Sequence, residues 1–177
     1  MNDRQITFLG ITVKTIVVHT VTYFIMGVLA FIIMDYETTF AETDLRYIMR
    51  QTNDAIVMAG PLFQPIRGLL FGIVFFLLSD AFFRRKNGWI IMWLMLVIVG
   101  ILSTFGPASG SIEGMIYTKF PIWGQLVGLW ETVLQALLLS YLICFWVNHP
   151  EKKWLSITLG IAFLLVILFP TMGLLAS

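Results

Sequence analysis

The residues of this 177-residue chain that could carry chemistry are a few polar side chains inside long apolar runs. Glu131 and Gln135 lie four residues apart in one run, and His19 and Tyr23 have the same spacing in another. Side chains four residues apart are neighbours on the surface of a helix, so each pair predicts a small polar patch. A carboxyl group and an imidazole at one level could exchange a proton with a ligand or hydrogen-bond it.

A second set of candidate residues lies nearer the ends of the apolar runs. Arg67 stands early in its run, and Glu113 lies in the polar stretch GPASGSIEGMIYTKFP (106–121). Arginine is always charged, and its fork of donors fits carboxylates and phosphates. We expect Arg67 and Glu113 to meet at the outer mouth of the molecule, where Arg67 would hold an anionic group such as a lipid headgroup. The predicted ligand-binding residues are Arg67, Glu113, Gln64 and Tyr117 at the mouth, and Glu131, Gln135, His19 and Tyr23 deeper.

Each of these features also has a purely structural interpretation. Glu131 and His19 could hydrogen-bond neighbouring helices without any ligand, and Arg67 could extend its charged end to the lipid headgroups. Residues 106–121 could be a site-forming loop that re-enters or caps the outer mouth of the bundle, or a plain connector. Their glycine spacing also fits a helix extension that packs closely on a neighbour. The sequence alone leaves these alternatives open.

Other kinds of site have little support. The chain has no phosphate-binding glycine motif, no H-E-x-x-H, no cysteine pair and no serine nucleophile elbow. The apolar neighbours of Cys144, the single cysteine, predict a buried, inert thiol. His149 is the only other histidine and is predicted in a turn far from His19. We therefore predict no catalytic residue, no metal and no cofactor, and the net charge of +1 gives no sign of a nucleic-acid partner.

Composition indicates which solvent surrounds these residues. The sequence is 59% hydrophobic and 12% charged, whereas soluble domains are about 45–50% apolar and about 25% charged. A chain of this size has too few polar side chains to cover a water-exposed surface. We predict an all-α integral membrane protein of the plasma (inner) membrane, with one domain over residues 1–177.

Five apolar runs are long enough, or nearly so, to form membrane-spanning helices of about 20 residues. Between the first two, the spacing of apolar residues predicts an outer amphipathic helix at about 43–59. Basic residues cluster in the turns at 84–86 and 152–153, which places these turns and the N-terminus in the cytoplasm and the C-terminus outside. The predicted spans are about 11–34, 65–83, 89–106, 121–147 and 154–176.

Three functions are compatible with this five-span bundle. The first is an outward-facing polar pocket that binds or transports a small or lipid-like ligand. The second is a non-catalytic subunit or assembly factor, whose polar groups lock helices or protomers together in a homo-oligomer or with a partner membrane subunit. The third, which has the least support, is an intramembrane lipid-modifying enzyme, because no nucleophile and base occur at usable spacing.

Overall fold

A computed structural model describes residues 6–42, 44–47 and 49–176, and this part of the chain is all-helical, with no strand. The predicted fold class is therefore confirmed at this level. The helices in chain order are α1 (Phe8–Ile33), α2 (Tyr36–Glu42), a 3₁₀ helix (Asp44–Tyr47), α3 (Ala55–Met58), α4 (Gly60–Leu77), α5 (Ser79–Phe82), α6 (Gly88–Leu94), a π-helix (Met95–Leu102), α7 (Ile112–Tyr117), α8 (Ile122–Asn148) and α9 (Lys153–Ala176).

Four of these helices, namely α1, α4, α8 and α9, are long and apolar enough to cross a membrane. Large apolar side chains such as Leu9, Ile32 and Leu77 are exposed on them, as expected where the surrounding solvent is lipid. The third predicted span is shorter, because its helical part covers only Gly88–Leu102. At the rise of an α-helix this is about 22 Å, compared with a hydrocarbon core of about 30 Å.

Helix α1 is the centre of the bundle and packs against α4, α8 and α9. Its contact with α4 depends on the small residues of GLLFG. A Cβ atom added to Gly68 would lie 2.6 Å from the Cα of Ile16, and one added to Gly72 would lie 2.8 Å from the Cα of Thr12. The two backbones therefore touch, and the two helices run antiparallel.

Helix α6 runs antiparallel to α8. The Trp93 indole Nε1 donates a hydrogen bond to the Val133 carbonyl (3.2 Å), and the Trp89 ring meets Tyr141 edge to face, with centroids 5.8 Å apart. The buried apolar core joins α1, α4, α5, α6, α8, α9 and the π-helix: Ile11, Val18, Val21, Phe75, Phe82, Phe83, Met92, Leu96, Ala136, Leu139, Ile143, Cys144, Trp146, Leu155 and Leu159.

The predicted outer amphipathic helix at about 43–59 is wrong as one continuous helix. Its described residues form the 3₁₀ helix and α3, separated by a turn. Asp54 explains the break, because its backbone is extended and its carboxylate accepts a hydrogen bond from the Ile56 N–H (3.1 Å). This N-cap begins a new helix instead of continuing the previous one. Thr43 and Ile48 lie outside the described residues.

Helix α4 begins five residues earlier than the span predicted at 65–83. Pro61 lies in its first turn and Pro65 lies inside it. Proline is tolerated at the start of a helix, where the N–H group that it lacks would have no helical partner. As a result, Gln64 and Arg67 lie within α4 instead of at its beginning. At the other end, Asp80 pairs with Arg84 (2.9 Å), as their four-residue spacing predicts.

Candidate functional site

A cavity of about 360 Å³ lies between α1, α4, the π-helix and α8. Three predicted site residues from three different helices line it, namely His19, Arg67 and Gln135. The helices that carry His19 and Gln135 are neighbours, because α1 and α8 pack against each other. The remaining lining residues are Leu70, Phe71, Leu96, Gly100, Ile101, Thr132, Ala136 and Leu139.

His19 is held in place by Gln64. The His19 side chain is 1% exposed, and its Nε2 lies 3.2 Å from Oε1 of Gln64. The Gln64 amide nitrogen donates to the Gly60 carbonyl (3.1 Å), so the amide oxygen is the atom that faces the imidazole. His19 Nε2 must therefore carry the proton, and Nδ1 is an acceptor that is buried without a partner among the described residues.

Arg67 is a charged side chain inside the length of the bundle, nearer the level at which α1 begins than the level at which it ends. It neighbours Gly68, which packs on Ile16, about 12 Å from the start of α1 and about 25 Å from its end. Its guanidinium lies over the Phe71 ring, 5.9 Å from the centroid. The predicted meeting of Arg67 with Glu113 is wrong, because within the described residues the two form no ion pair.

Glu131 is bound by a residue that sequence reasoning missed. The Tyr36 hydroxyl donates to its carboxylate (2.6 Å), and the Tyr36 ring stacks on Phe40 at 4.8 Å. The hydrogen bond between Tyr36 and Glu131 connects α2 to α8. Burial, followed by the hydrogen bond to Glu131, raises the pKa of Tyr36 above its ordinary value, so the phenol stays protonated. Glu131 does not line the cavity, although Gln135, one turn further along α8, does.

Tyr23 lies beside His19 on α1. It is partly buried, its ring centroid is 6.4 Å from that of His19, and a Cβ atom added to Gly60 would lie 3.8 Å from its hydroxyl oxygen. It does not line the cavity. Tyr23 is therefore a neighbour of the site and does not face the space that a ligand would fill.

The stretch 106–121 forms a folded cap on the beginning of α8, and Gln125 anchors it. This side chain is 1% exposed. It accepts a hydrogen bond from the Gly110 N–H (3.1 Å) and donates to the carbonyl of Phe120 (2.8 Å). Glu113 lies in the first turn of α7, and Tyr117 is 72% exposed. Neither residue lines the cavity, although the sequence predicts both at its mouth.

Several cavity residues gave no sequence signal. Gly100 and Ile101 lie on the π-helix, a rare conformation that often occurs at functional sites. The sequence of this segment shows no periodic apolar pattern by which the conformation could be predicted. Thr132 is a common residue in an apolar helix. Cys144, by contrast, is buried as predicted, and its thiol lies 3.5 Å from the Phe82 carbonyl.

The polar groups that line the cavity are few. They are one permanent cation (Arg67), the His19 ring, the Thr132 hydroxyl and the Gln135 amide on an apolar wall, and the lining residues include no serine, cysteine or lysine. Over the residues that the structure describes, no three His, Cys, Asp or Glu side chains are grouped so as to hold a metal ion. In comparisons with protein families, curated proteins and solved structures, none matches the chain.

Proposed function

We propose that this chain is a five-span protein of the plasma membrane that binds or transports a small or lipid-like ligand in the cavity between α1, α4, the π-helix and α8. The observation that carries the proposal is the convergence of His19, Arg67 and Gln135, each from a different helix, on one cavity. An apolar wall with a few well-placed polar groups is typical of ligand sites. An ionisable residue inside a membrane span is also a strong functional signal, because it is costly to keep there.

The antiparallel contacts between helices support five crossings. The short helical stretch Gly88–Leu102 runs along α8. The cap that follows this stretch in the chain is anchored by Gln125 and lies over the beginning of α8. We propose that this cap occupies the part of the bilayer thickness that the short helical stretch does not cross. The basic turns at 84–86 and 152–153 favour a cytoplasmic N-terminus.

The alternative function is a non-catalytic subunit or assembly factor. One observation favours it: a Cβ atom added to Gly128 would have no neighbour within 4 Å, so this glycine of the pattern GQLVG is free to pack against another chain. The corresponding pattern GLLFG is already used between α4 and α1. In this alternative, Arg67→Ala would destabilise the fold or the oligomer and would change no ligand binding. An intramembrane enzyme remains the least supported, since Tyr36 occupies the Glu131 carboxylate.

A cavity-filling variant tests the proposed function. Gly100 lines the cavity, and a Cβ atom there has no neighbour within 4 Å, so Gly100→Phe should fill the cavity without disturbing the backbone. Gly160→Phe in α9 is the matched control, because Gly160 is equally unobstructed and does not line the cavity. The measurement is native mass spectrometry of the protein released from mild detergent.

We expect the wild-type protein and Gly160→Phe to retain a bound molecule of lipid-like mass, and Gly100→Phe to lose it. Retention of the same molecule by all three proteins would place it on the outer surface of the bundle. Its absence from the wild-type protein as well would favour the subunit alternative. Either result would overturn the ligand-binding proposal.

A further inference from the structure

We propose that the ligand of this cavity is an anionic amphiphile with an acyl chain, whose charged group binds Arg67 and whose chain lies against the apolar wall. This inference rests on the proposed function and specifies the chemical class of its ligand. Three independent observations carry it: the unpaired charge of Arg67, the composition of the wall, and the position of the opening.

The first observation is that Arg67 forms no ion pair within the described residues. The ion pairs there are Arg50–Asp54 and Arg84–Asp80, and neither includes Arg67. Arginine cannot discharge by losing a proton, and a charged side chain at the centre of a membrane helix is costly. A bound anion would supply the missing charge, and carboxylate or phosphate oxygens match the guanidinium fork.

The second observation is that most of the wall is apolar. Leu70 and Phe71 on α4, Leu96 and Ile101 on the π-helix, and Leu139 on α8 surround the space next to Arg67. A small hydrophilic anion would leave these side chains without a partner, whereas an acyl chain would bury them together with its own apolar surface. The lining therefore fits a molecule with one charged end and one apolar end.

The third observation is the side on which the cavity opens. Among the lining residues, Arg67 and Leu70 on α4, Gly100 on the π-helix and Thr132 on α8 are exposed, so the cavity opens on the side of the bundle that these three helices form. Arg67 lies at a level about 12 Å from the start of α1 and about 25 Å from its end, so a molecule that enters there arrives from within the bilayer. Gln135, whose side chain has no hydrogen bond to any described residue, is available to bind headgroup oxygens beside Arg67.

The test is competition for binding to the full-length protein in nanodiscs of uncharged phosphatidylcholine. Radiolabelled oleate is the probe, and its specific binding is the wild-type signal minus the signal of Gly100→Phe, which has the same bilayer and a filled cavity. The competitors share one chain and differ in headgroup: oleate, oleyl phosphate, oleyl alcohol and oleylamine. Inorganic phosphate tests the headgroup without a chain.

We expect oleate and oleyl phosphate to compete at least about tenfold better than oleyl alcohol or oleylamine, since hydrogen bonds to a charged group change affinity by about this factor or more. Arg67→Gln should weaken oleate binding by a similar factor and remove the difference between oleate and oleyl alcohol. Arg67→Lys, which keeps the charge and loses the fork, should be intermediate. Arg85→Gln is the matched control and should bind as the wild-type protein does, because Arg85 lies in the turn between α5 and α6.

Three results would overturn the inference, and they differ in what they say about the proposed function. Equal competition by oleyl alcohol and oleate, unchanged in Arg67→Gln, would leave an amphiphile site in which charge is not recognised. Competition by inorganic phosphate as strong as that by oleyl phosphate would mean that the ligand is a free anion and not a lipid. Absence of saturable binding, together with absence of a retained molecule in mass spectrometry, would remove both the inference and the proposed function.

Discussion

Gln125 is the residue on which the cap before α8 depends. Its buried amide accepts a hydrogen bond from the Gly110 N–H and donates one to the Phe120 carbonyl. Gln125→Leu keeps the size of the side chain and leaves these two backbone groups unpaired. A buried polar group without a partner costs about 1–3 kcal/mol. We therefore expect this variant to lower the free energy of unfolding by about 2 kcal/mol or more, measured by titration with dodecyl sulfate in mild detergent micelles.

Gln135→Leu is the matched control for this change. Both residues are glutamines of α8, but the side chain of Gln135 lines the cavity and has no hydrogen bond to any described residue. Its replacement should cost clearly less stability than that of Gln125. An equal loss in the two variants would mean that Gln125 does not anchor the cap.

Tyr36 gives a prediction with a pH dependence. Tyr36→Phe removes the donor to Glu131, so the variant should be less stable than the wild-type protein at neutral pH. Burial and the Glu131 hydrogen bond raise the pKa of Tyr36 in the folded protein above its ordinary value of 10.0. A raised folded-state pKa means that the stabilisation is complete below pH 10 and is lost as the pH rises towards the folded-state pKa.

The measurement is the difference in unfolding free energy between wild-type protein and Tyr36→Phe at a series of pH values. We expect this difference to be constant up to about pH 9 and to shrink above about pH 10. Tyr117→Phe is the control, because Tyr117 is largely exposed and has no hydrogen bond within the described residues; it should match the wild-type protein throughout. A difference that grows with pH would contradict the assigned hydrogen bond.

At the scale of elements, the close contact of α4 with α1 shapes one side of the cavity. Gly68→Ala would place a Cβ atom 2.6 Å from the Cα of Ile16, and a backbone atom cannot move aside as a side-chain end can. Overpacking of this kind costs about 1–3 kcal/mol, so we expect Gly68→Ala to lower the free energy of unfolding by that amount. It should also weaken ligand binding, because Arg67 is the adjacent residue.

The control for this prediction is Gly160→Ala, where the added methyl group has no neighbour within 4 Å. This substitution should be neutral or slightly stabilising, since alanine is the better helix former by about 1 kcal/mol. The same micelle titration compares the two variants. If Gly68→Ala were as stable as Gly160→Ala, the helices would not be in backbone contact at this position.

The long helices are the elements that the sequence predicts best. The predicted spans 11–34, 121–147 and 154–176 correspond to α1, α8 and α9 with ends within three residues, because an unbroken apolar run determines both the existence and the length of such a helix. The segments in which the structure differs from the prediction depend on single side chains, such as the Asp54 carboxylate that begins α3. A hydropathy pattern does not contain this information.

The sequence identifies three polar residues of the candidate site, but neither its other members nor its geometry. His19, Arg67 and Gln135 are identified because polar groups are costly in an apolar run. Their convergence depends on tertiary packing, which a single sequence does not reveal. Tyr36 shows this limit, because its partner Glu131 lies 95 residues further along the chain.

At the scale of the whole molecule, the direction of α8 depends on whether the stretch Gly88–Leu102 crosses the bilayer. The antiparallel contacts between α6 and α8 fix their relative directions, and the basic turn at 84–86 favours the cytoplasm. If the stretch crosses, the cap and the α8–α9 turn lie on opposite sides, with the cap outside and the turn inside. If it entered and left on the same side, α8 would run in the same direction as α6, against these contacts.

Single cysteines on a Cys144→Ala background distinguish these two topologies. Cys144 is buried and is the only natural cysteine, so its removal gives a clean background. With a membrane-impermeant maleimide on intact cells, we expect Asp54→Cys and Tyr117→Cys to be labelled directly. Lys86→Cys and Glu151→Cys should react only after permeabilisation, because five crossings with a cytoplasmic N-terminus put both turns inside. Direct labelling at Glu151→Cys with protection at Tyr117→Cys would instead indicate four crossings and would contradict the antiparallel packing of α6 on α8.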